Sequence, residues 1–221
     1  MKFFARISPL WTTLLAVMFF CGAATAQPVD NPHQQTLAAV RAGNLARLQE
    51  LIDKYGANLN SRNRTGESLL MMAIKSGKSD IANWLLDHGA DVHIANTSKA
   101  TPLMAAAFNG DLGIVNRLLD KQADIHAADQ QKKTAIVYAA GQGHTEVVAR
   151  LLKAGIDINA RYPNELTVLM WAAGQGHAKT VKFLLEAGAD KSLKDNRGKT
   201  AYDIADEGGH LDVKKVLSGE S

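Results

Sequence analysis

The sequence has almost no cysteine. Its one cysteine, Cys21, lies among the first 26 residues, so residues 27–221 contain none. That stretch therefore carries no disulfide, no thiolate metal site and no cysteine nucleophile. Whatever fold it adopts must be stable on packing alone.

The chain also has little net charge. Its formal charge is +3 at pH 7, and removing Lys2 and Arg6 with the first 26 residues, which contain no acid, leaves +1. A charge so close to neutral argues against general binding to nucleic acid or to an anionic membrane.

Catalytic motifs are missing from the sequence. It has no G-x-S-x-G elbow, no H-E-x-x-H and no phosphate-binding glycine loop. Gly141-Gln142-Gly143 recurs as Gly174-Gln175-Gly176, which indicates a repeated turn. His93 and His126 stand 33 residues apart, too dispersed for a metal site. We therefore predict a non-enzymatic protein without a metal or other cofactor.

The N-terminal segment has the three parts of a secretory signal peptide. Lys2 and Arg6 give a positive start, Leu10 to Phe20 is an apolar run, and Ala24-Thr25-Ala26 is a small-x-small cleavage site. The apolar run is shorter than the roughly 20 residues that span a bilayer. We predict cleavage after residue 26, a short polar leader at 27–32 and a periplasmic protein free of the membrane; eukaryotic secretion remains the alternative.

A period of 33 residues governs the remainder of the chain. It places Ser or Thr at the head of five similar segments, and a glycine follows each at a constant offset. The heads are Ser68, Thr101, Thr134, Thr167 and Thr200; the glycines are Gly77, Gly110, Gly143, Gly176 and Gly209. A fixed period of this kind is the signature of a repeat array.

The repeated phrase, clearest at Thr101-Pro102-Leu103, resembles the T-P-L-H-x-A phrase of the ankyrin repeat. This resemblance implies an all-α repeat solenoid of about six stacked helix–turn–helix repeats joined by short β-hairpin-like loops. The approximate repeats are 33–62, 63–95, 96–128, 129–161, 162–194 and 195–218, with a tail at 219–221. We expect a monomer.

The chain departs from the family at the motif histidine. Met71, Met104, Val137, Met170 and Asp203 occupy that column. We predict that apolar packing replaces the histidine network, since four of these five residues are methionine or aliphatic and methionine fills irregular gaps well.

The family resemblance also implies that protein partners bind at the hairpin tips and at the adjoining concave ends of the first helices. Tyr and Trp on the first helices add residue types common in interface hot spots, although they could instead be half-buried between repeats. The candidate protein-binding residues are Arg62, Arg64, Lys75, Lys99, Phe108, Asn109, Lys132, Lys133, Tyr138, Gln142, Arg161, Tyr162, Trp171, Gln175, Arg197 and Lys199.

Positive charge concentrates on the hairpins. The eight-residue windows that start at 60, 93, 126, 159 and 192, here called the hairpin edge, hold nine basic and four acidic residues. The edge therefore carries +5, and the rest of the chain after residue 26 carries −4. We predict that an acidic protein surface docks there, unless these charges simply solvate exposed loops.

Two binding functions follow from these observations. The first is an exported interaction scaffold that binds or regulates an envelope or stress-defence protein. The second is an inhibitor or immunity protein that occludes a toxic enzyme. The sequence does not name the partner, because an array leaves its binding positions free to vary.

Overall fold

A computed structural model describes residues 31–220. The predicted signal peptide and most of the predicted leader lie outside the described residues. Within residues 31–220 the structure contains twelve α-helices and no strand beyond an isolated bridge between Arg62 and Ser68. The helices are α1 Pro32–Ala42, α2 Leu45–Asp53, α3 Leu69–Lys75, α4 Ser79–Asp87, α5 Pro102–Asn109, α6 Leu112–Asp120, α7 Ala135–Gly141, α8 Thr145–Lys153, α9 Val168–Gly174, α10 Ala178–Glu186, α11 Ala201–Glu207 and α12 Leu211–Ser218.

Each repeat contributes one pair of these helices. The first helices α1, α3, α5, α7, α9 and α11 contact one another in succession, and the second helices from α4 to α12 form a parallel row. This arrangement confirms the prediction of an all-α repeat solenoid with six helix pairs. No helix in the described part of the chain is long and apolar enough to cross a membrane.

The column of Ser and Thr starts the first helices. The side chains of Ser68, Thr101, Thr167 and Thr200 each accept a hydrogen bond from the backbone N–H three residues later. This cap satisfies one of the donors that a helix start leaves unpaired. Thr134 is the exception, because its side chain makes no such bond.

The residues that replace the motif histidine do more than pack. The sulfur atoms of Met104 and Met170 accept from the backbone N–H of Thr101 and Thr167, at 3.5 and 3.4 Å. Asp203 does the same more strongly, since its carboxylate accepts from both the N–H and the hydroxyl of Thr200. The prediction that apolar packing replaces the histidine network is therefore wrong at Met104 and Met170, which keep a polar contact to the cap, as Asp203 also does.

The core is a set of aliphatic columns with the period of the sequence. Leu85, Leu118, Leu151 and Leu184 on successive second helices are all fully buried. Burial of each leucine contributes about 1.5–3 kcal/mol. Since every column is shared between neighbours, the stability of a repeat depends on the repeats beside it.

Glycines and histidines fix the joints in the C-terminal half. His144, His177 and His210 each place Nε2 at 2.9–3.0 Å from a carbonyl oxygen at the end of the first helix of the preceding repeat. A Cβ on Gly110, Gly143 or Gly176 would lie 2.5–2.7 Å from the Nδ1 atoms of these rings. These glycines also have φ between 74° and 78°, so two requirements exclude a side chain there.

The loops between repeats are five short hairpins at residues 63–67, 96–100, 129–133, 162–166 and 195–199. In each, the N–H of the first residue donates to the carbonyl of the last. Asn63, Asn96, Asp129 and Asp195 also accept backbone N–H bonds within their own loops. Tyr162 takes this place in the fourth hairpin, where Asn164 and Glu165 both have positive φ.

Backbone hydrogen bonds link most hairpins to the next one. Thr97 N–H donates to Thr65 O, Gln130 N–H to Ser98 O, and Asn196 N–H to Asn164 O. The same register would pair residue 163 with the carbonyl of residue 131. Pro163 has no N–H, and no backbone bond joins the third and fourth hairpins among the described residues.

Candidate protein-binding surface

Two arginines of the hairpin edge tie adjacent hairpins together. Arg62 donates to the carbonyl of Gly66 at 2.9 Å and to that of Ala95, the residue before the next hairpin, at 2.7 Å. Arg161 donates in the same way to the carbonyl of Lys194 at 3.0 Å and to the carboxylate of Glu165 at 3.2 Å. Both guanidinium groups are thus occupied by hydrogen bonds within the array.

Other basic candidates are paired with carboxylates. Arg197 contacts Asp195 at 2.9 Å and Glu207 at 3.5 Å, and Lys199 contacts Glu207 at 3.2 Å. These ion pairs neutralise much of the charge of the last hairpin. The charge count of the edge therefore overstates what a partner would meet there.

Lys75 forms an ion pair with Glu67 near the start of the array. Burial alone would raise the pKa of Glu67, but hydrogen bonds from Lys75 and Asn63 leave that pKa below its ordinary value. Glu67 is consequently ionised at neutral pH and holds the ammonium group of Lys75.

Three exposed candidate cations remain unpaired. The side chains of Arg64, Lys99 and Lys132 are exposed and make no hydrogen bond or ion pair within residues 31–220. Lys99 and Lys132 lie on neighbouring hairpins at positive φ, 61° and 57°, where the first and last hairpins use Gly66 and Gly198. Free positive charge thus lies on the second and third hairpins and at Arg64.

An aromatic row lies against the third hairpin, which carries Lys132 and Lys133. The rings of Phe108 and Tyr138 meet edge to face with centroids 6.1 Å apart. The Lys133 ammonium lies 6.0 Å from the Tyr138 centroid and 4.9 Å from that of Trp171, within the range of a cation–π contact. We call Phe108, Tyr138, Lys133 and Trp171 the aromatic–lysine strip; its members come from three consecutive first helices and one hairpin.

Tyr138 is held in position by a buried carboxylate. Its hydroxyl donates to Asp129 Oδ2 at 2.5 Å. Burial first, and then the hydrogen bond and charge of Asp129, raise the pKa of Tyr138 to about 12. The phenol therefore stays protonated and keeps the ring fixed.

The strip has unequal exposure. Phe108 is 48% exposed, whereas Tyr138 and Trp171 are half-buried. The half-buried alternative for Tyr138 and Trp171 is therefore confirmed. The indole N–H of Trp171 is buried and finds no acceptor in the described chain.

The remaining candidates divide between structural and exposed positions. Asn109 donates from Nδ2 to the carbonyl of Ile74 at 2.7 Å, which joins α5 to α3. Gln142 and Gln175 follow α7 and α9 and are exposed. Tyr162 is half-buried, and burial raises the pKa of its phenol. Only Gln142 and Gln175 of these four offer free side chains.

Sequence reasoning missed a groove beside Phe108. It encloses about 200 Å³ and is lined by Met71, Asn96, Ala100, Met104 and Ala105, together with Lys75, Phe108, Asn109 and Tyr138. It also missed Asp129 as the anchor of Tyr138. The recurrence of Asn or Asp at the first position of the hairpins was the signal that could have identified Asp129.

The fold and this surface define a helical repeat array with its exposed aromatic and basic residues on one set of loops and helix ends. The family model described as ankyrin repeats in three copies matches residues 36–129, 92–162 and 136–221. The protein therefore belongs to the ankyrin-repeat family. A search of curated proteins found no match.

Ankyrin repeats generally mediate protein–protein interaction, and proteins built from them are typically non-enzymatic scaffolds. Their repeats bind protein partners. The hairpins and first-helix ends of this chain offer side chains that the array does not use for its own packing.

Proposed function

We propose that this protein is a non-enzymatic scaffold, exported to the periplasm, that binds or regulates an envelope or stress-defence protein. The observation that carries the proposal is the aromatic–lysine strip beside the unpaired Lys99 and Lys132. Phe108 is 48% exposed, and the ammonium groups of Lys99 and Lys132 form no hydrogen bond or ion pair within the described residues. Aromatic side chains and cations that the fold leaves exposed are characteristic of binding surfaces.

Export is supported by the N-terminal sequence. A positive start at Lys2 and Arg6, an apolar run and Ala24-Thr25-Ala26 precede the repeats. The absence of cysteine after residue 26 suits an array that folds without disulfides.

The compartment is tested by expressing the complete sequence with a C-terminal tag and separating the periplasmic fraction. We expect the protein there, with an intact mass corresponding to a chain that starts at Gln27. An uncleaved chain retained in the cytoplasm or membrane would contradict export.

The partner is tested by cross-linking the tagged protein in its native cells and identifying what is captured. The purified partner should bind with a measurable Kd, and its own activity should change on binding. We expect affinity to fall between low and physiological ionic strength, because exposed charges separated by more than about 8–10 Å are screened there. Salt-independent binding would contradict an electrostatic edge, and strong inhibition of a toxic enzyme would favour the inhibitor function instead.

A further inference from the structure

Unpaired positive charge is unevenly distributed along the hairpin edge. Internal bonds occupy Arg62, Arg161, Arg197 and Lys199. In the second and third hairpins, by contrast, the exposed ammonium groups of Lys99 and Lys132 form no ion pair within residues 31–220. A partner that responds to charge therefore meets the densest group of unpaired cations in the middle of the array, since Arg64 and Lys194 are single exposed cations towards its two ends.

The one carboxylate in these two central hairpins is already saturated. Asp129 is 8% exposed. Its Oδ1 accepts the N–H groups of Gln131 and Lys133 at 2.8 and 2.9 Å, and its Oδ2 accepts the hydroxyl of Tyr138. Asp129 forms no ion pair with Lys133, so the lysine retains its capacity to bind an external anion.

Two aromatic rings hold the side chain of Lys133 in place. Its ammonium group contacts Tyr138 and Trp171 and makes no ion pair within the described residues. Since a lysine that is already ordered loses less side-chain entropy on binding, it is a better anchor than a freely moving one. The same rings supply apolar surface close to the charge.

Apolar surface continues from the strip into the groove beside Phe108. Met71, Met104, Ala100 and Ala105 line this groove of about 200 Å³. The site therefore combines a fixed cation with a recess large enough for one apolar side chain.

We propose that the aromatic–lysine strip and this groove bind a protein segment in which an Asp or Glu lies close to a large apolar side chain. The carboxylate pairs with Lys133, supported by Lys99 and Lys132, and the apolar side chain packs on Phe108 in the groove. The proposal rests on the proposed scaffold function and specifies the chemistry and position of its partner.

The test uses random ten-residue peptides displayed on phage and selected against the tagged complete protein. We expect the selected peptides to combine an acidic residue with a Leu-, Met- or Phe-sized residue a few positions away. Their Kd should rise about tenfold or more in Lys133→Gln and in Phe108→Ala, the loss typical of an interface anchor.

Lys194→Gln is the matched control. Lys194 is also exposed and basic on the hairpin edge, and its ammonium group forms no ion pair in the described structure. Its removal subtracts the same charge at a residue that contacts no ring of the strip and does not line the groove. We expect its Kd to stay within about twofold of the unaltered protein, since exposed charges contribute little individually. Thermal melts of all three variants verify folding.

Equal weakening by Lys133→Gln and Lys194→Gln would overturn the proposal in favour of general charge attraction. Selection of peptides without acidic residues, or of none, would also overturn it while leaving native partner capture to decide the scaffold function. Conversely, selected peptides that respond as expected would support the site even if no envelope partner were captured.

Discussion

The two halves of this array join their repeats in different ways. In the C-terminal half, histidines at the starts of second helices bond to the preceding repeat and fill the space beside its glycines: His144, His177 and His210. The equivalent N-terminal positions are Asn44, Lys78 and Asp111. There Asn109 instead reaches back to the carbonyl of Ile74.

The comparison shows that one backbone geometry tolerates different side-chain solutions. Gly77 and Gly143 both follow a first helix with positive φ, 65° and 75°. A Cβ on Gly77 would meet nothing within 4 Å, whereas one on Gly143 would lie 2.6 Å from the ring of His177. A regular glycine period in the sequence therefore conceals two different local requirements.

The largest expected effect comes from giving each of these glycines a methyl group. Gly77→Ala should lower the free energy of unfolding by about 1 kcal/mol. An alanine in the left-handed conformation destabilises the folded state, and this cost is partly offset because alanine leaves the unfolded chain less conformational freedom than glycine. Gly143→Ala should lower it by about 2–4 kcal/mol, because His177 must also move and lose its hydrogen bond. Urea unfolding followed by circular dichroism measures both, and equal losses would remove the distinction between the halves.

A second prediction tests whether His177 causes the difference between Gly143→Ala and Gly77→Ala. His177→Ala alone should cost about 1–2 kcal/mol, since the Gly141 carbonyl loses its partner. Combined with Gly143→Ala it should cost clearly less than the sum of the two single changes, because the clash is then gone. The control pair, His177→Ala with Gly77→Ala, should be additive; coupling in both pairs would indicate a change spread through the array.

A third prediction concerns the stability of the last repeat at acidic pH. Hydrogen bonds from the backbone and hydroxyl of Thr200 hold the pKa of Asp203 below its ordinary value of 3.8. A lowered pKa contributes stability that is present above the unfolded value and is lost as the pH falls through the folded value.

Asp203→Asn should therefore melt a few degrees below the unaltered protein at neutral pH, and this difference should shrink once the pH drops below about 4. Thermal melts from pH 7 to pH 2 follow the change. A difference that stayed constant with pH would show that the charge of Asp203 contributes nothing to the cap.

The smallest expected effect is at the break between the third and fourth hairpins. Pro163→Ala restores an N–H that can bond to the carbonyl of Gln131. That bond should stabilise the folded protein by about 1 kcal/mol. The gain is nearly offset because alanine allows the unfolded chain more conformational freedom than proline does. Amide exchange by NMR is the sensitive measurement. The amide that this variant gains at position 163 should be protected as those of Gln130 and Asn196 are, and rapid exchange at that position alone would contradict a shared register.

Much of the fold could be predicted because it is periodic. Ser68 and Thr101 indicated helix starts, Gly110 indicated a turn, and the 33-residue spacing indicated stacking. The methionine contacts to the caps were missed, since sulfur is a weak acceptor that residue type alone does not suggest. The candidate surface was predicted less well, because a list of basic residues does not say which ones the array itself occupies.

The sequence by itself determined that the chain is a solenoid of helix pairs, where each repeat begins and which glycines interrupt it. These features follow from local backbone preference and a fixed period. Only the tertiary structure decided that Arg62 is bonded to Ala95, the residue before the next hairpin, while Lys133 lies over Trp171 and remains open to a partner. Stacking brings together groups about one repeat apart, and that proximity, rather than residue type, determines which charges are free.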